Sequence, residues 1–255
     1  MSSFGYVYVA SLSQAFYRAA VNSAVSLKDF YPEAKATLFT HEKFLKKEDE
    51  KFFDKVVTGI PVNKRAKMWG MARTPYDKTL YLDCDTEIRS ENIKKVFDII
   101  SSDDIMFTRI INHVSNSKRI DDQNSLEYHG GVVLYNSKND TLKLMQKWYE
   151  LYNYQSECKW HESIFKDYDP KMQPWDQFTV WYLLHRDPEF KELKHSFFPN
   201  GGHEFNYIYL LEDKRNELNA PYWDLEQVVY HYTIPRSSVD AGYIFDKRRP
   251  EVDFN

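Results

Sequence analysis

Several features are scarce in this chain of 255 residues, and each scarcity removes a class of protein. The only cysteines, Cys84 and Cys158, lie far apart and lack the close spacing of a zinc site or a disulfide framework. Cys84 reads instead as a buried thiol in a reducing compartment. No apolar run is long enough to span a bilayer, and no signal-peptide pattern precedes Phe4. A cytoplasmic protein without a transmembrane segment is therefore expected. No Gly-x-Gly-x-x-Gly follows the first apolar run, and no Gly-x-x-x-x-Gly-Lys occurs, which argues against a standard dinucleotide site and against a P-loop. Excess charge of one sign is missing too. The 34 basic and 38 acidic residues are well mixed and leave a net charge of −4, so nucleic acid is not an expected partner. There is no internal repeat and no low-complexity tract.

What is present suits one large α/β domain, or two intimately packed halves. Hydrophobic residues make up 42%, and aromatics 16%, with 19 Tyr and 17 Phe. Aromatic enrichment serves packing or the stacking of sugars and bases, and by itself identifies no ligand.

Read in order, residues 5–11 form a first strand and residues 15–30 an amphipathic helix stopped by Pro32. Residues 36–40 are a second strand, followed by a charged helix through Phe44, Phe52 and Phe53 and a short β-like segment at 55–57. Residues 63–72 read as a helix carrying Arg65 and Lys67. After a central strand at 79–82, a helix is expected at 91–100 and strands at 104–108 and 129–136. The polar stretch 112–127 is long enough to suggest a functional lid. Long helices are expected at 141–154 and from Trp175 to His185, with a late strand at 228–232. Alternating strands and helices in the first third imply a parallel sheet covered on both faces.

The chemistry concentrates where Thr79-Leu80-Tyr81-Leu82 runs into Asp83-Cys84-Asp85. Ligands of open α/β sheets bind beyond the carboxyl ends of such strands. Side chains one residue apart face oppositely in a strand, so both carboxylates reach one ion only if the chain is already turning. Hard oxygen ligands there suit Mg²⁺ or Mn²⁺, the ions that hold diphosphates. With 21 aspartates, about one or two Asp-x-Asp triplets arise by chance. Asp167-Tyr168-Asp169, with no strand before it, reads as a solvated loop.

Company sharpens the reading. The early strand with its Tyr-bearing helix, Asp83-Cys84-Asp85, Gly130-Gly131-Val132-Val133, Asp176-Gln177 before a helix and a late strand ending in His231 occur in one order. That order resembles the GT-A fold of nucleotide-sugar glycosyltransferases, and most of all the glycogenin-like group that includes bacterial lipooligosaccharide galactosyltransferases, over residues 6–236. The resemblance implies a single domain over 1–255, with a Rossmann-like, mostly parallel central sheet and a small antiparallel acceptor-side region. Its nucleotide-binding half spans about 1–110 and its acceptor half about 111–255. It implies that Asp83, Asp85 and His231 hold Mn²⁺ or Mg²⁺ against the diphosphate of a nucleotide-sugar donor, with a UDP-linked sugar the first expectation. Val9, Ala10 and Ser11 match nucleotide-base contacts, and Tyr17 a tyrosine that packs on uracil. Arg65 or Lys67 takes the place of a basic residue that reaches the diphosphate or sugar. His129-Gly130-Gly131 stands where the group has Asn-(Ala/Ser)-Gly, with His129 in place of the sugar-contacting Asn. Asp176 and Gln177 match a pair beside the anomeric carbon, and Phe205-Asn206 a Phe-Asn pair in the acceptor half. After His231 the group continues with Gly and Lys-Pro-Trp, whereas this chain has Thr233-Ile234-Pro235-Arg236, where Arg236 offers the cation.

The implied reaction is sugar transfer to a hydroxyl on a glycan, glycolipid or protein, with retention of configuration. Two other readings remain at this point. A nucleotidyltransferase shares the sheet but carries a Gly-rich first loop with a basic residue, which Ala10-Ser11-Leu12-Ser13 lacks. A binding module without catalysis would share the fold and leave a donor intact.

Overall fold

Apolar runs in the sequence become the inner strands of one seven-stranded sheet in the computed structural model, which describes residues 3–63 and 65–232. Arg236 lies outside the described residues. In chain order the elements are β1 (Phe4–Ala10), α1 (Gln14–Phe30), β2 (Ala36–Thr40), β3 (Lys55–Val57), α2 (Ala66–Met71), β4 (Lys78–Leu82) and β5 (Thr86–Ile88). Then come α3 (Val96–Ile99), β6 (Ile105–Arg109), α4 (Asn112–Ser115), β7 (Tyr128–Asn136), α5 (Asn139–Glu157) and α6 (Asp176–His185). Among the described residues the last three are β8 (His195–Phe197), β9 (Tyr207–Ile208) and β10 (Val229–His231). Among the described residues no helix is long and apolar enough to cross a membrane.

The main sheet runs β3-β2-β1-β4-β7-β6-β8. Its first four strands are parallel, β7 is antiparallel to both neighbours, and β8 is parallel to β6. The central strand β4 is thus parallel on one edge only. Side-chain alternation divides the core. Tyr6, Tyr8, Leu80, Leu82 and Leu134 face α1, whose Ala20, Ala24 and Leu27 are fully buried. Val7, Val9, Tyr81, Val133 and Tyr135 face the other way, against Met68, Leu144, Trp148 and Phe178. Burying a Leu or Phe stabilises by about 1.5–3 kcal/mol, so two covered faces supply the main driving force.

A second, small sheet has the order β5-β10-β9. It was expected to be antiparallel, but only β10 with β5 is; β10 runs parallel to β9. α1 anchors it through polar groups: Ser23 Oγ lies 2.9 Å from Thr86 Oγ1, and Ser26 Oγ accepts from the Ile88 amide at 2.9 Å. These serines are fully buried, so each satisfies a group that would otherwise be stranded.

Some expected helices are shorter turns. Residues 42–44 and 47–52 form 3₁₀ turns, because Phe44 and Phe53 are buried at their ends while the residues between are charged and offer no continuous apolar stripe. The segment 91–95 is likewise 3₁₀, capped by Ser90 Oγ on the Asn92 amide, and only α3 is α-helical. Within the suspected lid, α4 is one turn, and the rest is tied by Asp121 to Asn124 and by a bridge between Arg119 and Ser125.

Candidate metal centre and its cavity

The turn that two neighbouring carboxylates require is present. β4 ends at Leu82, the chain turns through residues 83–85, and β5 starts at Thr86, whose hydroxyl donates to the Asp83 carbonyl at 2.8 Å. β10 pairs with β5 so that His231 lies opposite Thr86, and the Tyr232 amide donates to the Asp85 carbonyl at 2.9 Å. These pairings bring His231 Nε2 within 3.2 Å of Asp85 Oδ1 and 4.0 Å of Asp83 Oδ2. One ligand atom from each of Asp83, Asp85 and His231 lies within 4.8 Å of the others, a separation and a donor set that fit a divalent cation.

Asp83 is held on several sides. The Tyr81 hydroxyl donates to Oδ1 at 2.6 Å, a contact made possible because residues two apart share one strand face. Lys67 Nζ lies 3.2 Å from Oδ1 and donates to the Gly130 carbonyl at 2.7 Å. The Asp83 amide donates to the Gly131 carbonyl at 2.7 Å. Burial pushes the Asp83 carboxyl upward, but Lys67, His231 and the Tyr81 hydrogen bond overcome it and hold the pKa down at about 2. For His231, burial disfavours the cation, and Asp85 more than offsets this, raising the pKa. Burial with the flanking aspartates pushes the Cys84 thiol up, so it stays a neutral thiol donating to the Val9 carbonyl.

The paired glycines shape the site. Between Phe107 and Thr108 the β6–β7 register jumps from Val133 to His129, leaving residues 130–132 unpaired on that edge. A Cβ on Gly131 would stand 2.7 Å from both His129 Cε1 and His231 Cε1, so only glycine lets the two rings cross there. His129 Nδ1 accepts from the Gly131 amide at 3.0 Å, and its ring meets His231 edge-on at 5.4 Å. Burial and the neighbouring His231 lower the His129 pKa to about 3, so this imidazole is neutral.

A cavity of about 520 Å³ opens beside the carboxylates. Val9, Ser11, Leu12 and Phe16 line it together with Arg65, Lys67, Tyr81, Asp83, Cys84, Asp85, Tyr152 and Pro174. Ala10 lies fully buried behind this wall, its carbonyl accepting from Thr40 Oγ1. Tyr17 does not reach the cavity. It is fully buried, its hydroxyl donating to Asp49 at 2.8 Å and accepting from the Lys46 amide at 2.9 Å. Its predecessor Phe16 supplies the aromatic ring at the cavity wall, because one step along a helix turns a side chain by about 100°.

Arg65 bridges to the second predicted pair. Its Nη2 lies 3.0 Å from Asp176 Oδ1, and its guanidinium lies 5.5 Å from the Tyr152 ring centroid. Burial works against this charge, while Asp176, Tyr152 and Asp83 raise its pKa. Asp176 itself is 2% exposed and does not line the cavity. Its place at the start of α6 is fixed by Trp148, whose indole donates to the Asp176 carbonyl at 2.8 Å. Gln155 spans the turn before α6, donating to the carbonyls of Met172, Gln173 and Trp175. Gln177 follows Asp176, outside the cavity wall, with its side-chain oxygen buried. Sequence reasoning missed Phe16, Tyr81, Tyr152 and Pro174. Of these, Tyr81 carried a signal in its two-residue spacing from Asp83.

No family model matches the chain, and no curated protein matches its sequence. Solved structures do match. The glycosyltransferase GlyE of Streptococcus pneumoniae TIGR4 superposes on 93% of this chain and 56% of its own, at 16% identity and a TM-score of 0.61. Its apo form is covered to 64%, so the chain spans less than two thirds of the length of either GlyE structure. The galactosyltransferase LgtC, solved in complex with donor and acceptor sugar analogs, matches over 97% of this chain and 96% of its own, at 17% identity and a TM-score of 0.53. A glycosyltransferase involved in the glycosylation of the major capsid of PBCV-1 matches over 96% and 99%, at 11% identity and a TM-score of 0.51. At such identities the likeness is one of architecture: the chain has the GT-A fold of these glycosyltransferases.

Proposed function

We propose that the chain is a glycosyltransferase that moves a sugar from a nucleoside diphosphate donor, UDP-linked, to a hydroxyl on a glycan, glycolipid or protein, with retention of configuration. The observation that carries this reading is that apolar and charged residues line one cavity beside the candidate cation site. Val9, Leu12 and Phe16 offer apolar and aromatic surface for a base, while Asp83, Asp85, Lys67 and Arg65 gather charge in the same cavity and His231 joins the two aspartates as a candidate ligand. In this reading residues of about 1–110 bind the nucleotide, and those of about 111–255 shape the acceptor side.

Asp83, Asp85 and His231 would hold Mn²⁺ or Mg²⁺, which would supply Lewis-acid charge for the departing diphosphate. The chain's own groups do the rest. In the reaction the bond from the anomeric carbon to the diphosphate oxygen breaks, and one to the acceptor oxygen forms. The acceptor proton passes to the leaving diphosphate when attack comes from the same face. Charge grows on that diphosphate in an oxocarbenium-like transition state. Lys67 and Arg65, both at the cavity wall, stabilise it from fixed positions. Neutral His129 offers an uncharged nitrogen to a sugar hydroxyl. Asp176 is engaged by Arg65, so it orients a cation instead of standing as a free base for an inverting attack.

The test is thermal stabilisation by nucleoside mono-, di- and triphosphates, with and without Mn²⁺, on wild type and Asp85→Ala. A ligand that binds only the native state raises the melting temperature by mass action. A shift with UDP that needs Mn²⁺ and disappears in Asp85→Ala is the expected result, followed by slow hydrolysis of one UDP-sugar. No shift with any nucleoside diphosphate sinks the donor-site reading. A shift with triphosphates alone turns it to nucleotidyl transfer.

A further inference from the structure

We propose that Asn206 is a positioning residue for the candidate cation site, holding His231 in the tautomer that carries its proton on Nδ1, so that the Nε2 lone pair faces the gap between Asp83 and Asp85. The inference rests on the reading of that site given above and extends it to a residue outside the cavity wall.

The chain of contacts runs through the interior. His231 Nδ1 lies 2.8 Å from Asn206 Oδ1, and Asn206 Nδ2 donates to Thr108 Oγ1 at 2.8 Å. The Thr108 hydroxyl donates in turn to the Val132 carbonyl at 3.4 Å. Thr108 is fully buried, Asn206 1% and His231 4% exposed, so each polar atom must be satisfied by protein.

The direction of this chain follows from counting protons. A hydroxyl has one proton, and the Thr108 proton is used on Val132, so Thr108 faces Asn206 as an acceptor. The amide edge toward Thr108 is therefore NH₂, and the edge toward His231 is the carbonyl oxygen. A carbonyl oxygen only accepts, so Nδ1 must bear hydrogen. In the neutral ring Nε2 is then the bare nitrogen, 3.2 Å from Asp85 Oδ1. The reversed amide would place hydrogen on Nε2, aimed at the carboxylates, and close the ring to a cation. Strand pairing makes the relay rigid: Asn206 directly precedes β9, and β10 pairs with β9 with His231 opposite Ile208. Histidine ligands in general owe their orientation to a partner on the second ring nitrogen.

The relay is tested on the full chain with Mn²⁺ as the probe, reading free Mn²⁺ by electron paramagnetic resonance in Asn206→Asp and Asn206→Leu. Asp keeps an oxygen acceptor at Nδ1, and Leu removes it. Asn206→Leu is expected to weaken Mn²⁺ binding by roughly 10- to 100-fold, and Asn206→Asp to stay within about threefold of wild type or to tighten. Wild-type affinity in Asn206→Leu, or equal losses in both variants, overturns the proposal. ¹⁵N spectra of histidine-labelled wild type, recorded without metal on the neutral ring, decide it independently: hydrogen on Nδ1 of His231 supports the relay, and hydrogen on Nε2 overturns it. If circular dichroism shows Asn206→Leu unfolded, the Asp variant and these spectra carry the decision. A wild type that binds no Mn²⁺ removes the metal-site reading, while the ring-nitrogen spectrum still rules on the tautomer.

Discussion

The Lys67 ammonium lies 3.2 Å from Asp83 and is tethered to the Gly130 carbonyl at 2.7 Å, so a fixed positive charge already sits on one of the two candidate carboxylate ligands. A divalent ion would share Asp83 with that charge. Replacing Lys67 by Met is expected to tighten Mn²⁺ binding roughly tenfold, from Coulomb repulsion at an effective dielectric of about 20. Donor turnover is expected to fall in the same variant, because the charge facing the leaving group is gone. Mn²⁺ titration together with UDP-sugar hydrolysis checks both; weaker metal binding would instead assign Lys67 to organising the carboxylates.

Arg65 and Asp176 form an ion pair with one partner almost wholly buried. Removing Arg65 leaves the Asp176 charge uncompensated, so Arg65→Ala is expected to cost about 3 kcal/mol in urea unfolding. The double variant Arg65→Met, Asp176→Leu removes both charges and is expected to recover much of that loss. A single variant as stable as wild type would show that solvent already screens the pair.

Phe16 and Tyr17 separate binding from stability. If Phe16 at the cavity wall takes a base, Phe16→Ala loses a stacking surface worth about 1–3 kcal/mol and lowers the UDP-induced thermal shift. Tyr17→Phe removes a hydroxyl that serves both Asp49 and the Lys46 amide, so it lowers the melting temperature while the shift persists. The opposite pattern would return Tyr17 to the ligand.

Gly131→Ala drives a methyl group to within 2.7 Å of two imidazole rings. It is expected to abolish any Mn²⁺-dependent shift. Gly59→Ala, at a φ of +77° with nothing within 4 Å, serves as the control and costs only backbone strain of about 1 kcal/mol. Calorimetry with and without Mn²⁺ distinguishes the two.

Histidines set the response to mild acid. Burial lowers the pKa of His129 to about 3 and lowers those of His185 and His203 as well. The unfolded chain therefore binds protons first, and stability falls as pH drops below about 6.5 toward those folded values. His231, raised despite its burial because of Asp85, works in reverse: its stabilisation is complete below about 6.5 and is lost as pH rises through its folded value. Three groups oppose one, so the urea midpoint is expected to be lower at pH 5 than at pH 7, and His129→Gln should flatten that difference.

Much of this site is legible in the chain because it is local. An apolar strand running into Asp83 and Asp85 announces both the sheet edge and the turn, and the two-residue period assigns Tyr81 to the Asp83 face. What depends on distant pairing is not legible. Asp176 reads as an ordinary helix-opening carboxylate, since nothing near it in sequence reveals Arg65. Helical periodicity places Phe16 and Tyr17 on adjoining faces without saying which face meets the sheet. The glycines at 130 and 131 signal close approach, but that the approaching groups are two imidazoles follows only from the bulge in β7 and the docking of β10.

Because β10 supplies His231 and locks it through Tyr232 to Asp85, the three candidate ligands come together on the ribosome only after β10 has emerged. A nascent chain that has emerged only as far as Asn219 already holds both aspartates and all seven strands of the large sheet, yet lacks the imidazole. Contacts of such long sequence separation form slowly. Cation capture would therefore wait for β10, and intermediates released before it would carry an acidic turn with no third partner and be open to proteolysis.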